Sequence, residues 1–304
     1  MRIIAEIGDA RGGIQVALIR EIQNMIDSID AKLQRGETHL DIEQTVFYVV
    51  GNVLTSFLFG RTYPHGSLEF KYVSAFSWQL FDLLTAQIHH EIQAAEVHQM
   101  MRDELEQRLQ SQGSIAYRSV KFHYKDESKS DLTSVLLRKL DEVRSDRSAT
   151  VIEQRNFNED RIAMLMTEMF FAAIQTECNT FGWAFLYFIE HPQVQQKCRQ
   201  QILAKFGTES RVRWSDRVHL PYVEATVFEV QRCANIAPFS VFHRNYHATT
   251  LDGYYVPANS TILMNLYSTL MDPNCFRGEL HFSLDFFHFF LKTFLSHHTK
   301  MLLR

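Results

Sequence analysis

Residues 158–192 read NEDRIAMLMTEMFFAAIQTECNTFGWAFLYFIEHP, and the rest of the chain is organised around this stretch. Asn158 is a suitable N-cap, acids occupy the first turn, and Pro192 closes the stretch, a pattern that predicts one continuous helix. At 1.5 Å per residue such a helix is roughly 45–50 Å long, enough to cross a globular domain. Its apolar part carries Glu168 and Glu177, which would both be costly to bury in a membrane. We therefore expect a central helix buried in a soluble body.

The composition fits a globular chain with one large core or two smaller ones. The 304 residues are 46% hydrophobic and 22% charged, and we find neither a secretory signal nor a run of about 18 uncharged apolar residues. The net charge of −4 gives no electrostatic argument for nucleic-acid binding. The cysteines are far apart and form no C-x-x-C pair, so we predict neither a zinc site nor a disulfide framework and expect a reducing compartment. They are Cys178, Cys198, Cys233 and Cys275.

Apolar residues that recur at helical spacing predict further helices on both sides of the central one. The predicted helices before it are Ile14–Gln34, Asp41–Phe59, Leu68–Ala86, His89–Gln112 and Asp131–Val143, with a polar connection at Gly113–Ser130. Those after it are Gln193–Phe206 and the helix that opens at Leu220-Pro221. The fourth of these helices is not predicted to bind metal, because its histidines and acids lack H-E-x-x-H and E-x-x-H spacing. These residues are His90, Glu91, Glu96 and His98.

After residue 235 the chain changes to short runs of β-forming residues, which are separated by Asp252-Gly253 and by Pro257. The runs are Phe239–Tyr246, Thr249–Leu251, Tyr254–Val256 and Thr261–Leu266. The sequence therefore predicts a mainly α fold. It consists of a helical bundle around the central helix, about 159–190, with helices up to residue 235 and a small late β region.

Glu229 and Arg232 lie three residues apart on the helix PYVEATVFEVQRC, so their side chains share one face. An exposed pair of this kind contributes only a few tenths of a kcal/mol to stability. The apolar neighbours Val227, Phe228 and Val230 favour the alternative, which is a partly buried pair.

Five blocks of sequence follow one another between Glu159 and Phe276: WAFLYFIEHP, LPYVEATVFEVQR, IAPFSVFHRN, LDGYYVPANSTILMNL and MDPNCF. An E-x-x-R pattern alone occurs often by chance, whereas five ordered blocks are specific. In this order they resemble the haem-thiolate monooxygenases of the cytochrome P-450 superfamily, most closely its microsomal, drug- and steroid-metabolising branch. Met1–Asp141 is compatible with the helices that precede these blocks in the family. The resemblance implies a partial cytochrome P-450 domain over residues 1–276.

The resemblance implies that the central helix passes over the distal face of haem, where the family carries an A-G-x-[DE]-T segment. Ala172, Ala173, Gln175 and Thr176 stand at its four defined positions. The threonine matches, but alanine replaces the glycine, and the glutamine cannot ionise to pass on protons. Glu177 could replace the acid if the turn distorts, because it lies about 100° further round the helix. The alternative is that these are simply core residues of a long helix.

Further roles are implied by the same resemblance. Glu229 and Arg232 would lock the helix behind the haem, with a further arginine completing that cluster in the family. His243 or Arg244 would face a haem propionate, and His243 matches better; the alternative is an exposed strand histidine. An apolar segment would line the pocket for an apolar small-molecule substrate. Its residues are Ile236, Pro238, Phe239, Val241 and Phe242.

The chain also departs from the family pattern. The family begins about a hundred residues earlier, with a membrane anchor and the first strands of its sheet, and we expect this chain to lack them. We find no F-x-x-G-x-R-x-C-x-G loop, whose cysteine ligates the iron, after Phe276. Leu280–Leu295 resembles the helix that follows this loop, so residues 277–304 are interpreted as an aberrant segment left by a skipped ligand loop. No metal ligand is predicted beyond Cys275, a weak candidate.

Two classes of function follow. The first is an oxidoreductase that uses haem, O2 and electrons from a reductase to oxidise an apolar small molecule, at the endoplasmic reticulum membrane by family. The second is a non-catalytic truncated or splice product that binds a partner or a membrane surface through Phe282–Phe294. Such a chain would be cytoplasmic or in peripheral contact with a membrane. We expect the family activity to be defective in this chain, and bound haem would distinguish the two classes.

Overall fold

The computed structural model describes residues 13–65, 67, 70, 131–145, 157–208, 212–276 and 282. The chain divides into two compact units, Met1–Cys178 and Asn179–Arg304. The boundary between them falls within the helix Glu159–Glu190. The helices of the described ranges are α1 (Gly13–Gln34), α2 (Ile42–Phe59), α3 (Leu132–Ser145), α4 (Glu159–Glu190), α5 (Pro192–Phe206), a 3-10 helix (Trp214–His219), α6 (Pro221–Ala234) and α7 (Leu266–Leu270).

The described strands form two small antiparallel pairs. Strand β1 (His243–Arg244) pairs with β4 (Thr261–Ile262), and His243 lies opposite Ile262. Strand β2 (Thr249–Leu251) pairs with β3 (Tyr254–Val256) across a turn whose residues Asp252 and Gly253 both have positive φ, 49° and 83°. Two such residues suit the tight turn of a twisted hairpin. The predicted fold class, mainly α with a small late β region, is confirmed.

Helix α4 has the predicted bounds. Its N-terminus is capped by Asn158, whose Oδ1 accepts a hydrogen bond from the Arg161 backbone N–H at 3.0 Å. Arg144 at the end of α3 donates two 2.8 Å hydrogen bonds to Glu159, and this lowers the pKa of the Glu159 carboxyl. The helix ends before Pro192, which opens α5 and supplies no N–H to continue the ladder.

The first unit is built by close packing of α2. A Cβ on Gly51 would lie 2.6 Å from the Phe70 ring and 3.2 Å from Ile174 of α4, so only glycine permits this approach. Thr133 of α3 donates a 2.6 Å hydrogen bond to the Leu58 carbonyl oxygen at the end of α2. Within the described residues, α2 has the length and apolar character to cross a membrane, and half of it is buried in the fold. That burial is expected of a core helix.

The second unit has a core between α4, α5 and α6. Phe282 belongs to this core: its ring stacks on Tyr187 at 4.7 Å and on His191 at 5.2 Å, and Tyr187 in turn stacks on Trp183 at 5.7 Å. The buried members of the cluster are Val194, Cys198, Ala225, Val230 and Phe282.

The β region is shorter than the sequence predicts. The prediction of a strand from residue 239 is wrong for residues 239–242, because Ser240 adopts a left-handed conformation (φ 58°) and donates its N–H to the Ala237 carbonyl in a turn. At the other end, Leu266 opens α7, which Asn265 caps by accepting a 3.1 Å hydrogen bond from the Ser268 N–H. The predicted helices Leu68–Ala86 and His89–Gln112, the polar connection after them, and residues 277–304 except Phe282 lie outside the described residues.

Candidate functional site

Glu229 and Arg232 form a buried bidentate ion pair. Arg232 Nε donates to one carboxylate oxygen and Nη2 to the other, both at 2.8 Å. The side chains are 1% and 3% exposed, so the prediction of an internal pair is confirmed. An Arg–carboxylate pair with two parallel hydrogen bonds is geometrically specific and is screened little by solvent.

Arg232 has further partners that the sequence did not indicate. Its Nη1 donates to the Leu270 carbonyl oxygen at 2.9 Å, and its Nη2 lies 3.1 Å from the Cys233 Sγ. The ring of Phe276 covers the guanidinium, with the ring centroid 4.7 Å from Cζ. Cys233 lies in α6, Leu270 is the last residue of α7 and Phe276 follows α7. No spacing rule relates residues 38 positions apart.

The residues matched to the oxygen-binding segment lie on an uninterrupted stretch of α4. Thr176 Oγ1 donates to the Ala172 carbonyl oxygen at 2.8 Å and contacts that of Ala173 at 3.1 Å. Gln175 is buried, with 2% of its surface exposed, whereas Thr176 is exposed. The helix therefore directs the two side chains to different environments, and their joint action in a proton relay stays a prediction.

Glu177, the substitute acid, also lies on regular helix. The Glu177 residue is exposed, and partial desolvation by the surrounding chain still raises the pKa of its carboxyl, which favours the protonated form relative to a free glutamate. The turn distortion that would bring this carboxyl to the position of the family acid is not seen in α4.

The predicted pocket segment is largely open. Phe239, Val241 and Phe242 are exposed, Val241 to 71%, while Ile236 and Pro238 are partly buried. An enclosed apolar pocket would bury most of these side chains. Their role in substrate binding therefore stays a prediction.

His243 and Arg244, the predicted propionate ligands, are both exposed on β1. The His243 Nδ1 atom lies 2.8 Å from the Val241 carbonyl oxygen, a contact that fixes the ring when Nδ1 carries the proton. This geometry matches the alternative of an exposed strand histidine and does not test haem contact.

Three of the four cysteines occupy environments that disfavour a thiolate. Burial raises the pKa of Cys178 to about 12, with Glu177 adding to the effect. Burial also raises the pKa of Cys198, whose Sγ lies 3.3 Å from the Thr226 hydroxyl. The pKa of Cys233 is raised to about 12 by burial and by Glu229.

Cys275 is the exposed cysteine of the chain. Its Sγ donates a long hydrogen bond, 3.7 Å, to a carboxylate oxygen of Asp272, so its nearest charged neighbour is an acid. A cysteine that serves as the axial ligand of a haem-thiolate protein must be a thiolate, which a supporting, electropositive environment favours. The four cysteines therefore do not fit an axial haem ligand. Within the described part of the chain, no group of three or more histidine, cysteine or acidic residues is arranged to hold a metal ion.

The family model described as Cytochrome P450 matches residues 10–292. This chain belongs to the cytochrome P450 family. The match includes α1 to α7 and extends into the segment 277–304, in which the buried Phe282 lies.

Individual proteins are similar to this chain over different shares of its length. Cytochrome P450 2D27 of Mesocricetus auratus is 34% identical over 134 residues, which are 44% of this chain and 27% of the relative. Steroid 17-alpha-hydroxylase/17,20 lyase of Ictalurus punctatus is 26% identical over 273 residues, 86% of this chain and 51% of the relative. Cytochrome P450 1A2 of Homo sapiens is 26% identical over 258 residues, 83% and 48% respectively. The chain thus spans about half the length of these relatives, or less.

Proposed function

We propose that this chain is a cytochrome P450 whose own residues do not form the haem-thiolate centre. The family's activity is haem-dependent monooxygenation, and bound haem would supply the oxygen chemistry. That chemistry requires an axial thiolate, which promotes cleavage of the O–O bond. The observation that carries the proposal is the environment of the four thiols. Cys178 and Cys198 are buried and Cys233 is partly buried, all three with raised pKa values, and Cys275 donates to Asp272.

The remaining assignments belong to the same proposal. Glu229 and Arg232 serve folding behind the haem position, and their burial supports that role. The apolar segment 236–242 is proposed to contact an apolar small molecule, and His243 to face a propionate. Similarity to microsomal cytochromes P450 supports a reductase as electron donor and the endoplasmic reticulum membrane as location. Residues 1–276 are proposed as the cytochrome P450 domain.

A non-catalytic partner- or membrane-binding protein is the second class of function. The sequence suggested the aromatic segment Phe282–Phe294 as its binding surface. Phe282 is only 7% exposed and stacks on Tyr187, so this side chain is not available to a partner. This observation removes Phe282 from the suggested surface, and residues 283–294 lie outside the described residues.

The proposal is tested by the absorption spectrum of the purified chain, expressed with haem supply and reduced under carbon monoxide. We expect no red-shifted Soret band of the kind that thiolate ligation produces. Appearance of that band would overturn the proposal. The variant Cys275→Ser would then show whether Cys275 is the ligand, with Cys198→Ser, a buried cysteine in the same unit, as the matched control.

A further inference from the structure

The guanidinium group of Arg232 is enclosed by the last residue of α7 and by the segment that follows this helix. Nη1 donates to the Leu270 carbonyl oxygen at 2.9 Å and lies 3.7 Å from the Met271 sulfur. The Phe276 ring covers the group, its centroid 4.7 Å from Cζ. These contacts join α6 to a segment that begins 38 residues later.

The arrangement occupies both the plane and the face of the guanidinium. Glu229 accepts two hydrogen bonds in the plane and balances the charge of the guanidinium. The face of an aromatic ring is negative and attracts a cation, the more so where water is excluded. Arg232 is 3% exposed, so this condition is met.

The segment itself is a short turn. The backbone N–H groups of Cys275 and Phe276 both donate to the Asp272 carbonyl oxygen, at 3.1 and 2.9 Å, and the Asn274 N–H donates to the Asp272 carboxylate at 2.8 Å. These bonds are local, and they do not attach the turn to a helix. Arg232 provides such an attachment from α6.

We propose that Phe276 is a positioning residue that acts through Arg232. The contact between ring and guanidinium holds the turn 271–276 against α6 and thereby fixes the backbone that carries the exposed Cys275. An apolar side chain of similar size would fill the space but would not attract the cation. The proposal goes beyond the proposed function and holds whether or not haem is bound.

Hydrogen exchange of the full chain tests the proposal, with the amides of Cys275 and Phe276 as the readout and those of α5 as an internal reference. In Phe276→Leu, which keeps an apolar side chain, we expect exchange in the turn to accelerate by about thirtyfold, the size of a cation–π contribution from which water is excluded. Phe276→Tyr keeps the aromatic face and should stay within about twofold of the parent chain.

Tyr267→Leu is the matched control, because Tyr267 is an exposed aromatic residue of α7 in the same segment. It should leave exchange in the turn unchanged. The proposal is overturned if Phe276→Leu exchanges like the parent chain. It is also overturned if Phe276→Tyr loses protection as Phe276→Leu does, because the aromatic face would then not protect the turn. A loss as large in Tyr267→Leu would overturn it as well, because the effect would then not be specific to Phe276.

Discussion

Gln175 and Thr176 are adjacent in α4, yet Gln175 is buried in the first unit while Thr176 is exposed and donates its hydroxyl to the Ala172 carbonyl oxygen. On a regular helix, successive side chains point about 100° apart. The glutamine therefore occupies a site where a carboxylate would be desolvated. This relationship determines what would follow from restoring the acid that the family carries at this position.

Gln175→Glu should destabilise the chain in a pH-dependent manner. Burial raises the folded-state pKa of the introduced carboxyl above the roughly 4.3 of an unfolded glutamate. The loss of unfolding free energy is therefore absent when the pH is below the pKa of the unfolded glutamate. It grows as the pH rises through the folded-state pKa and reaches roughly 1–3 kcal/mol. Urea unfolding at pH 4.5 and pH 8 measures it. Gln200→Glu, at an exposed position of α5, should show no comparable dependence, and equal stability of Gln175→Glu at both pH values would contradict the prediction.

Glu229→Ala should lower the free energy of unfolding by about 3–5 kcal/mol, because it leaves the buried Arg232 guanidinium poorly compensated. Lys139 and Glu142 offer a matched control, since they form a pair with the same spacing but are 50% and 65% exposed. Glu142→Ala should change stability by less than about 0.5 kcal/mol. Thermal and urea unfolding of both variants compare the pairs. Unchanged stability in Glu229→Ala would show that the pair is not internal in solution.

Gly51→Ala should destabilise the first unit by roughly 1–3 kcal/mol, because its Cβ would overlap the Phe70 ring. The helical Gly182 provides the opposite case, since nothing lies within 4 Å of a Cβ placed there. Gly182→Ala should stabilise by about 0.5–1 kcal/mol through the helix propensity of alanine. Unfolding midpoints of the two variants should move in opposite directions, and a stabilising Gly51→Ala would show that the approach of Phe70 is wrong.

Alkylation of the native chain should modify Cys275 first. Burial raises the pKa of Cys178 and of Cys233 to about 12, so at pH 8.5 almost none of either thiol is ionised to react. Peptide mass spectrometry after timed treatment with iodoacetamide identifies the modified residues. Denaturant should make all four cysteines reactive, which serves as the positive control. Rapid modification of Cys178 in the folded chain would contradict its placement in the core.

Much of the fold was predictable because its signals are local. Asn158 and Pro192 mark the ends of α4, and Asp252-Gly253 marks the β2–β3 turn; each acts within a few residues of itself. The prediction of a strand from residue 239 was wrong over residues 239–242, and the cause is again local. Its β-forming side chains are outweighed by the turn in which Ser240 takes a left-handed conformation.

The ordered blocks from Trp183 to Phe276 determined by themselves that this chain resembles the cytochromes P450, since residue order is a property of the sequence. Tertiary structure alone decided that Gln175 is buried, that the Phe276 ring covers Arg232, and that Phe282 stacks on Tyr187. Such contacts join residues that are far apart in the chain. Their energy depends on shape, burial and the exclusion of water, which no spacing pattern encodes.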